Sequence, residues 1–333
     1  MIFQTHTVRL SGSGKGVIFI MKQIYKTYDG KISTVDSWEE GCWISLVAPS
    51  ETELIEIAQQ NGIETDDIRA ALDDEERSRI QIEDAYTMII VDVPTVETHN
   101  EKQYYVTIPM SIILTRKAII TVCLEETEVL KAFAQSKIRN FHTHMKTRFV
   151  LQILYRNASL FLQYLRNINR QSENIETNMH KSTKNKELIE MLELEKSLMY
   201  FTTSLRSNEM VLEKLLKTEA VKKYPEDQDL LEDVIIENKQ AMEMSNIYSG
   251  ILGGMTDAFA SIINNNLNII MKILATITIV LSIPTMIFSA YGMNLSPASM
   301  PLSQNPHGFA LVIIFTIVLS LIIAFIFFKK KLF

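Results

Sequence analysis

The stretch Ile273–Met293, ILATITIVLSIPTMIFSAYGM, decides the fold. Its 21 residues contain no Asp, Glu, Lys or Arg. At about 1.5 Å per helical residue it reaches roughly 30 Å, the thickness of a bilayer's hydrocarbon core. A second run of 20 residues, Phe309–Phe328 (FALVIIFTIVLSLIIAFIFF), has the same property. Between them, Asn294–Gly308 holds three prolines and no charge, and reads as a short external loop. The 56 residues from Ile273 to Phe328 are thus free of formal charge, which excludes a simple cytosolic enzyme and predicts two antiparallel membrane spans.

Working outward, the charge is all on one side. Of 333 residues, the part before Ile273 carries all 39 acids and 30 of the 33 bases, a net of −9; Lys329, Lys330 and Lys331 restore −6. Lys272 precedes the first span, three lysines follow the second, and the loop has none. The positive-inside rule therefore places both termini in the cytoplasm of a plasma-membrane protein. Cys42 and Cys123 are the only cysteines, with no disulfide or zinc-ligand spacing, in keeping with a reducing compartment. The acidic balance argues against a nucleic-acid partner.

Leading into and along the first span, Asn264, Asn268, Met271, Ala275, Thr278, Ser282, Thr285, Ser289 and Gly292 follow one another in alternating steps of four and three. That is one helix face with a 3.5-residue period, small or polar except at Met271. Two readings fit it. Small residues let membrane helices pack closely, or the face is one wall of a path enclosed by several copies of the chain. Packing has no need of amides at Asn264 and Asn268, and this favours the path. Pro284 predicts a kink. The second span is apolar all round and reads as lipid-facing.

The preceding residues divide by pattern. Residues 1–21 read as a loose tail without a secretory signal, and Met21 is an alternative start. Residues 22–127 read as a cytoplasmic α/β domain: a hairpin over Lys22–Val35 around Asp29-Gly30, strand-like runs at Cys42–Val47, Tyr86–Val93, Ser111–Leu114 and Ala118–Cys123, and helices at Glu51–Gln60 and Asp66–Leu72. Residues 128–225 predict long amphipathic helices over 128–180 and 186–219. Pro225 with Glu226, Asp227 and Asp229 then marks a helix start. The seam Leu231, Val234, Ala241, Tyr248, Leu252, Met255, Phe259, Ile262 carries that helix on, so that 226–293 reads as a single stalk-and-span helix. Residues 294–308 form the loop, 309–328 the second span, and 329–333 a basic tail.

No Ser/His/Asp, HExxH or CxxC constellation occurs, so no enzyme and no organic cofactor is expected. Gly12–Gly16 lacks the first glycine of a phosphate loop, whose place is held by Arg9. His142 and His144 fall on opposite sides of a predicted helix and are not expected to share a site.

The first span ends in Tyr291-Gly292-Met293-Asn294. At the outer end of the first of two C-terminal spans, this motif resembles the CorA family of magnesium transport proteins, over about residues 22–333. The resemblance implies an α+β membrane protein in which five copies form a funnel, with an N-terminal α/β cytoplasmic domain on long stalk helices and two transmembrane helices per subunit. It implies a channel-like Mg²⁺ transporter, with Co²⁺ a second cargo, in contact with membrane lipid. Tyr291, Gly292, Met293 and Asn294 would form the selectivity filter. Asn268, Met271, Leu274, Thr278, Ser282, Thr285 and Ser289 would line the pore, with Met271 and Leu274 at its hydrophobic constriction. Asp233 matches a stalk aspartate of the family's regulatory metal site, where cytoplasmic Mg²⁺ would act. Its partner position falls on Ala70, and Asp66, Asp67, Asp73 and Asp74 are the neighbouring substitutes. Lys272 and Lys329–Lys331 would form a basic belt at the membrane. Two alternatives compete: a zinc or other transition-metal transporter of the same fold, against which Met293 argues because zinc-moving relatives tend to carry valine there, and a non-conducting membrane-anchored sensor.

Overall fold

The computed structural model describes residues 21–28, 30–99, 102–179, 185–294, 300–302 and 305–329. The expected N-terminal tail through residue 20, Asp29, residues 295–299 and 303–304 of the external loop, and Lys330 and Lys331 lie outside the described residues. The chain forms two compact units, Met1–Gly254 and Met255–Phe333.

The first unit is built on a seven-stranded mixed sheet. Its strands are β1 (Met21–Tyr28), β2 (Lys31–Thr34), β3 (Cys42–Val47), β4 (Arg79–Ile82), β5 (Tyr86–His99), β6 (Lys102–Thr115) and β7 (Ala118–Cys123), in the order β2-β1-β3-β7-β6-β5-β4. β3 and β7 pair in parallel; every other pair is antiparallel. The two central strands are buried on both faces, which is why CWISLV and AIITVC read as nearly unbroken apolar runs. Gly30, at φ 78°, makes the β1–β2 turn in a conformation that L side chains resist.

Alternation in β3 sorts its side chains to two cores. Cys42, Ile44 and Leu46 face a cluster that includes Leu54, Ile57 and Ala58 of α1 (Glu51–Asn61) and Ile68 of α2 (Thr65–Arg69), followed by a 3₁₀ turn over Ala70–Leu72. α1 starts on a capping box, Ser50 with Glu53, and stops at Gly62, φ 65°. On the other face Trp43 stacks on Tyr25 (4.7 Å between centroids), meets Phe149 edge-on (5.3 Å), and donates its Nε1–H to Thr121 Oγ1 at 2.9 Å. Both cysteines are free and buried. Burial pushes the Cys123 thiol up to about 12.

The helical part departs from the expected pattern in one instructive place. Residues 128–180 are not one helix: α3 (Glu128–Ala134) and α4 (Lys146–Met179) are separated by an irregular segment. Ser136 (φ 56°) and Asn140 (φ 53°) take left-handed conformations there. The break seats Phe141 against Phe133 and Phe149, with centroids 5.1 and 4.5 Å apart. It also lets Thr143 exchange hydrogen bonds with Thr27 of β1. Burial of a ring and a satisfied threonine outweigh continuous helix. α5 (Asn185–Leu215) likewise stops short of 219 and is followed by the single turn α6 (Glu219–Lys222).

α7 runs from Pro225 to Tyr291, 67 residues, with Glu226 and Asp227 in its first turn. Of the expected seam, Leu231, Val234, Ala241, Leu252 and Phe259 are buried, whereas Ile262 is 44% exposed. The same face also buries two polar side chains. Asn238 Nδ2 donates to the Leu205 carbonyl at 3.0 Å, and Ser245 Oγ donates to the Leu198 carbonyl at 3.1 Å, both on α5. These satisfy groups whose burial would otherwise cost about 1–3 kcal/mol each.

In the second unit, α7 up to Tyr291 and α8 (Gly308–Lys329) are both long and apolar enough to cross a membrane.

Candidate functional site

The covered positions of the membrane unit fall on one face of each helix. Along the α7 span they are Ile273, Thr276, Val280, Ile283, Pro284 and Ile287; on α8 they are Gly308, Val312, Ile313, Thr316, Leu319, Ser320, Ile323, Ala324 and Phe327. The steps of three and four mark faces of helices that lie against neighbours. The small polar stripe is elsewhere. Asn264, Asn268, Met271, Ala275, Thr278, Ser282, Thr285, Ser289 and Gly292 are all exposed, as is Leu274. Packing within the chain therefore does not account for the stripe.

Three hydroxyls of this stripe have their protons committed. Thr278 Oγ1 donates to the Leu274 carbonyl (2.8 Å), Ser282 Oγ to Ile279 (2.8 Å) and Thr285 Oγ1 to Leu281 (3.0 Å). Such back-bonds are an ordinary option for Ser and Thr in a helix. Their chemical result is a face that turns oxygen lone pairs outward. Pro284, which has no N–H, leaves the Val280 carbonyl without its usual helical donor. A face of acceptors suits donors, such as the water molecules held by a hydrated cation.

The helix ends at Tyr291, two residues before the expected Met293, so Gly292, Met293 and Asn294 leave it as a turn. Gly292 N–H still reaches the Phe288 carbonyl at 2.9 Å, and Tyr291 OH donates to the Pro301 carbonyl at 2.8 Å, tying the helix end to the returning connector. A Cβ on Gly292 would lie 3.4 Å from its nearest neighbour, the Phe288 carbonyl oxygen, an ordinary contact. Among the described residues nothing requires glycine there. Gly308 is the opposite case: a Cβ would sit 2.0 Å from the Leu302 carbonyl oxygen. Sequence reasoning missed this requirement, because the close approach of residue 302 depends on its left-handed backbone, φ 60°.

The candidate regulatory aspartates are spread over the first unit. Asp66 is exposed and pairs with Arg69 at 3.3 Å. Asp67 accepts from Gln81 Nε2 at 3.2 Å and from the Tyr86 hydroxyl. Burial first, and this carboxylate second, push the Tyr86 phenol up to about 12. Asp233 is exposed on α7, and Ala70 opens the 3₁₀ turn. Among the described residues no three His, Cys, Asp or Glu side chains come together in a geometry that would hold a metal ion. Of the basic residues, Lys272 is exposed on α7 and Lys329 closes α8.

Sheet, long helices, paired apolar spans and a Gly-Met-Asn turn define a class of two-span membrane transport proteins. A model of the family described as CorA-like Mg²⁺ transporter protein matches residues 38–331, and the chain belongs to that family. The cobalt/magnesium transport protein CorA of Methanocaldococcus jannaschii is 28% identical over 294 residues, covering 86% of this chain and 89% of that one. The complete structure of the CorA magnesium transporter from the same organism superposes with a TM-score of 0.77 at 25% identity, over 92% of this chain and 97% of that one. The ZntB cytoplasmic domain from Vibrio parahaemolyticus, at 13% identity, has a TM-score of 0.56 over 74% and 98% of the two chains, and shows a shared fold alone. The α+β fold class expected from the sequence is borne out, with its N-terminal α/β domain, long helices and C-terminal spans.

Proposed function

We propose that five copies of this chain form a channel-like Mg²⁺ influx transporter of the plasma membrane, with both termini in the cytoplasm. The observation that carries the reading is the stripe of outward-turned acceptor oxygens on α7, exposed along its length and ending at Asn294. Arranged in a ring, these faces would line a path wall without fixed charge. Mg²⁺ dehydrates reluctantly, so neutral dipoles that accept hydrogen bonds from its water shell suit it better than a carboxylate ring. Asn294 supplies the amide carbonyl of the filter, and Tyr291, Gly292 and Met293 position it. Asn268, Met271 and Leu274 form the inner narrowing, which gates by dewetting. Thr278, Ser282, Thr285 and Ser289 line the wall between.

In this reading Asp233, Asp66 and Asp67 hold regulatory Mg²⁺ from the cytoplasm, completed by a neighbouring copy. Lys272 and Lys329–Lys331 sit at the lipid surface. Co²⁺ is a second cargo. Asp233 and Asp66 are exposed, so groups from another subunit can reach them, at Asp66 in competition with Arg69, which fits this role.

The test is growth of a strain without its own Mg²⁺ uptake systems. Wild-type chain restores growth at low Mg²⁺, and Asn294→Ala at equal expression does not. Full rescue by Asn294→Ala, or no rescue by well-expressed wild type, overturns the reading. Flux in proteoliposomes across divalent ions separates Mg²⁺ from zinc as cargo, and absence of any flux points to a sensor.

A further inference from the structure

The segment between α3 and α4 carries two histidines that the transport reading does not use. His142, Thr143, His144 and Met145 form a turn closed by the Met145 N–H on the His142 carbonyl at 3.2 Å. Its centre is anchored. Thr143 is buried, its N–H donates to Thr27 Oγ1 at 3.0 Å, and its own Oγ1 accepts from the Thr27 N–H at 3.2 Å. With Thr143 turned inward, the flanking imidazoles come together: their ring centroids are 5.4 Å apart at 47°. His142 is half-buried and His144 exposed. The expectation that they diverge rested on a helix that is absent here.

Two imidazoles on one tetrahedral ion, with metal–nitrogen bonds of about 2.0–2.1 Å, bring their centroids to roughly 5 Å apart. We propose that His142 and His144 form a two-imidazole site for a first-row transition ion such as Zn²⁺. Among the described residues no third His, Cys, Asp or Glu joins them, so water completes the coordination and the site is open. Mg²⁺, a hard ion that takes oxygen ligands, does not compete for it. The site therefore separates transition ions from the magnesium cargo on ligand chemistry alone.

The test is equilibrium dialysis of Zn²⁺ against the purified full chain in detergent, with Mg²⁺ in large excess to fill oxygen sites. The wild-type chain binds one more Zn²⁺ than the His142→Gln/His144→Gln double variant. Because the second ligand acts intramolecularly, either single variant weakens this binding by roughly a hundredfold, and the double variant loses little more. Equal binding by wild type and double variant, or a single variant of unchanged affinity, overturns the proposal. Should a variant fail to fold, the wild-type chain loaded with Co²⁺ under the same Mg²⁺ decides. Intense visible absorption of a four-coordinate ion supports the site; only the pale spectrum of the six-coordinate aqua ion overturns it.

Discussion

Arg148 Nε lies 2.8 Å from Asp227 Oδ1, and the carboxylate side chain is only 5% exposed. The pair joins α4 to the first turn of α7. Removing one partner of a largely buried pair strands the other, at roughly 3–5 kcal/mol. Arg148 is 32% exposed, so water tempers its side of the loss. Arg148→Ala, which leaves the buried carboxylate unpaired, should lower the melting temperature of the detergent-solubilised chain more than Asp227→Asn. A double-mutant cycle with no coupling between the two sites would contradict this account.

Two glycines of the membrane unit should respond in opposite ways. Gly308→Ala forces a methyl group onto the Leu302 carbonyl oxygen, so the melting temperature should fall, by a strain of about 1–3 kcal/mol. Gly292→Ala meets only an ordinary contact at 3.4 Å and should fold like wild type. If neighbouring copies approach Gly292 closely, its alanine variant loses flux while keeping its melting temperature. Normal flux through that variant would leave the glycine without a role.

The stripe hydroxyls offer a test of the acceptor wall. Ser282 and Thr285 are exposed, and each bonds only its own helix among the described contacts. Ser282→Ala combined with Thr285→Val removes two outward oxygens per copy. Expression and thermal stability should change little, because surface substitutions usually stay within about 0.5 kcal/mol. Mg²⁺ flux in proteoliposomes should drop several-fold. Unchanged flux would show that these oxygens do not line the path.

Asp92 gives a pH dependence whose sign is fixed by burial. Burial raises its carboxyl above the ordinary 3.8, and the Ser204 and Ser78 hydroxyls only partly offset this. In the window from 3.8 up to the raised value, the folded chain keeps a proton that the unfolded chain has released. Its contribution to stability is therefore complete below 3.8 and is lost as pH rises through the window. Asp92→Asn, which cannot ionise, should gain in melting temperature over wild type as pH rises across that range. A difference that is flat with pH would refute the assignment.

Much of this was legible in the sequence where a period was long or an apolar run unbroken. Cys42–Val47, Ala118–Cys123 and the two spans are such cases, since burial on every side leaves little choice of residue. β5 and β6 extend further than Val93 and Ser111 suggested, running through Pro94 and Pro109. The ladders of β4 and β7 do not reach these prolines, which therefore sit where only one neighbouring strand asks for hydrogen bonds. β4 was missed because RIQI is short, lies at the sheet edge and is only partly buried. The α3–α4 break carries no glycine or proline, and its cause is tertiary: a place for Phe141 beside Phe149 and for Thr143 beside Thr27. The polar stripe was legible as a repeat, but its exposure depends on which face α7 leaves uncovered, and that follows only from the packed structure.

The absence of Asp, Glu, Lys and Arg from Ile273 to Phe328 has an electrical consequence. A membrane potential exerts its force on charge, at about 2.3 kcal/mol per elementary charge for each 100 mV. The two spans hold no Asp, Glu, Lys or Arg on which that force can act, so they carry no charged side chain to sense voltage. In a transporter built from them the field is spent on the divalent ion, which gathers about twice that energy in a full crossing. The voltage dependence of the current would then report the ion's position in the path, and opening would answer to chemistry in the cytoplasm.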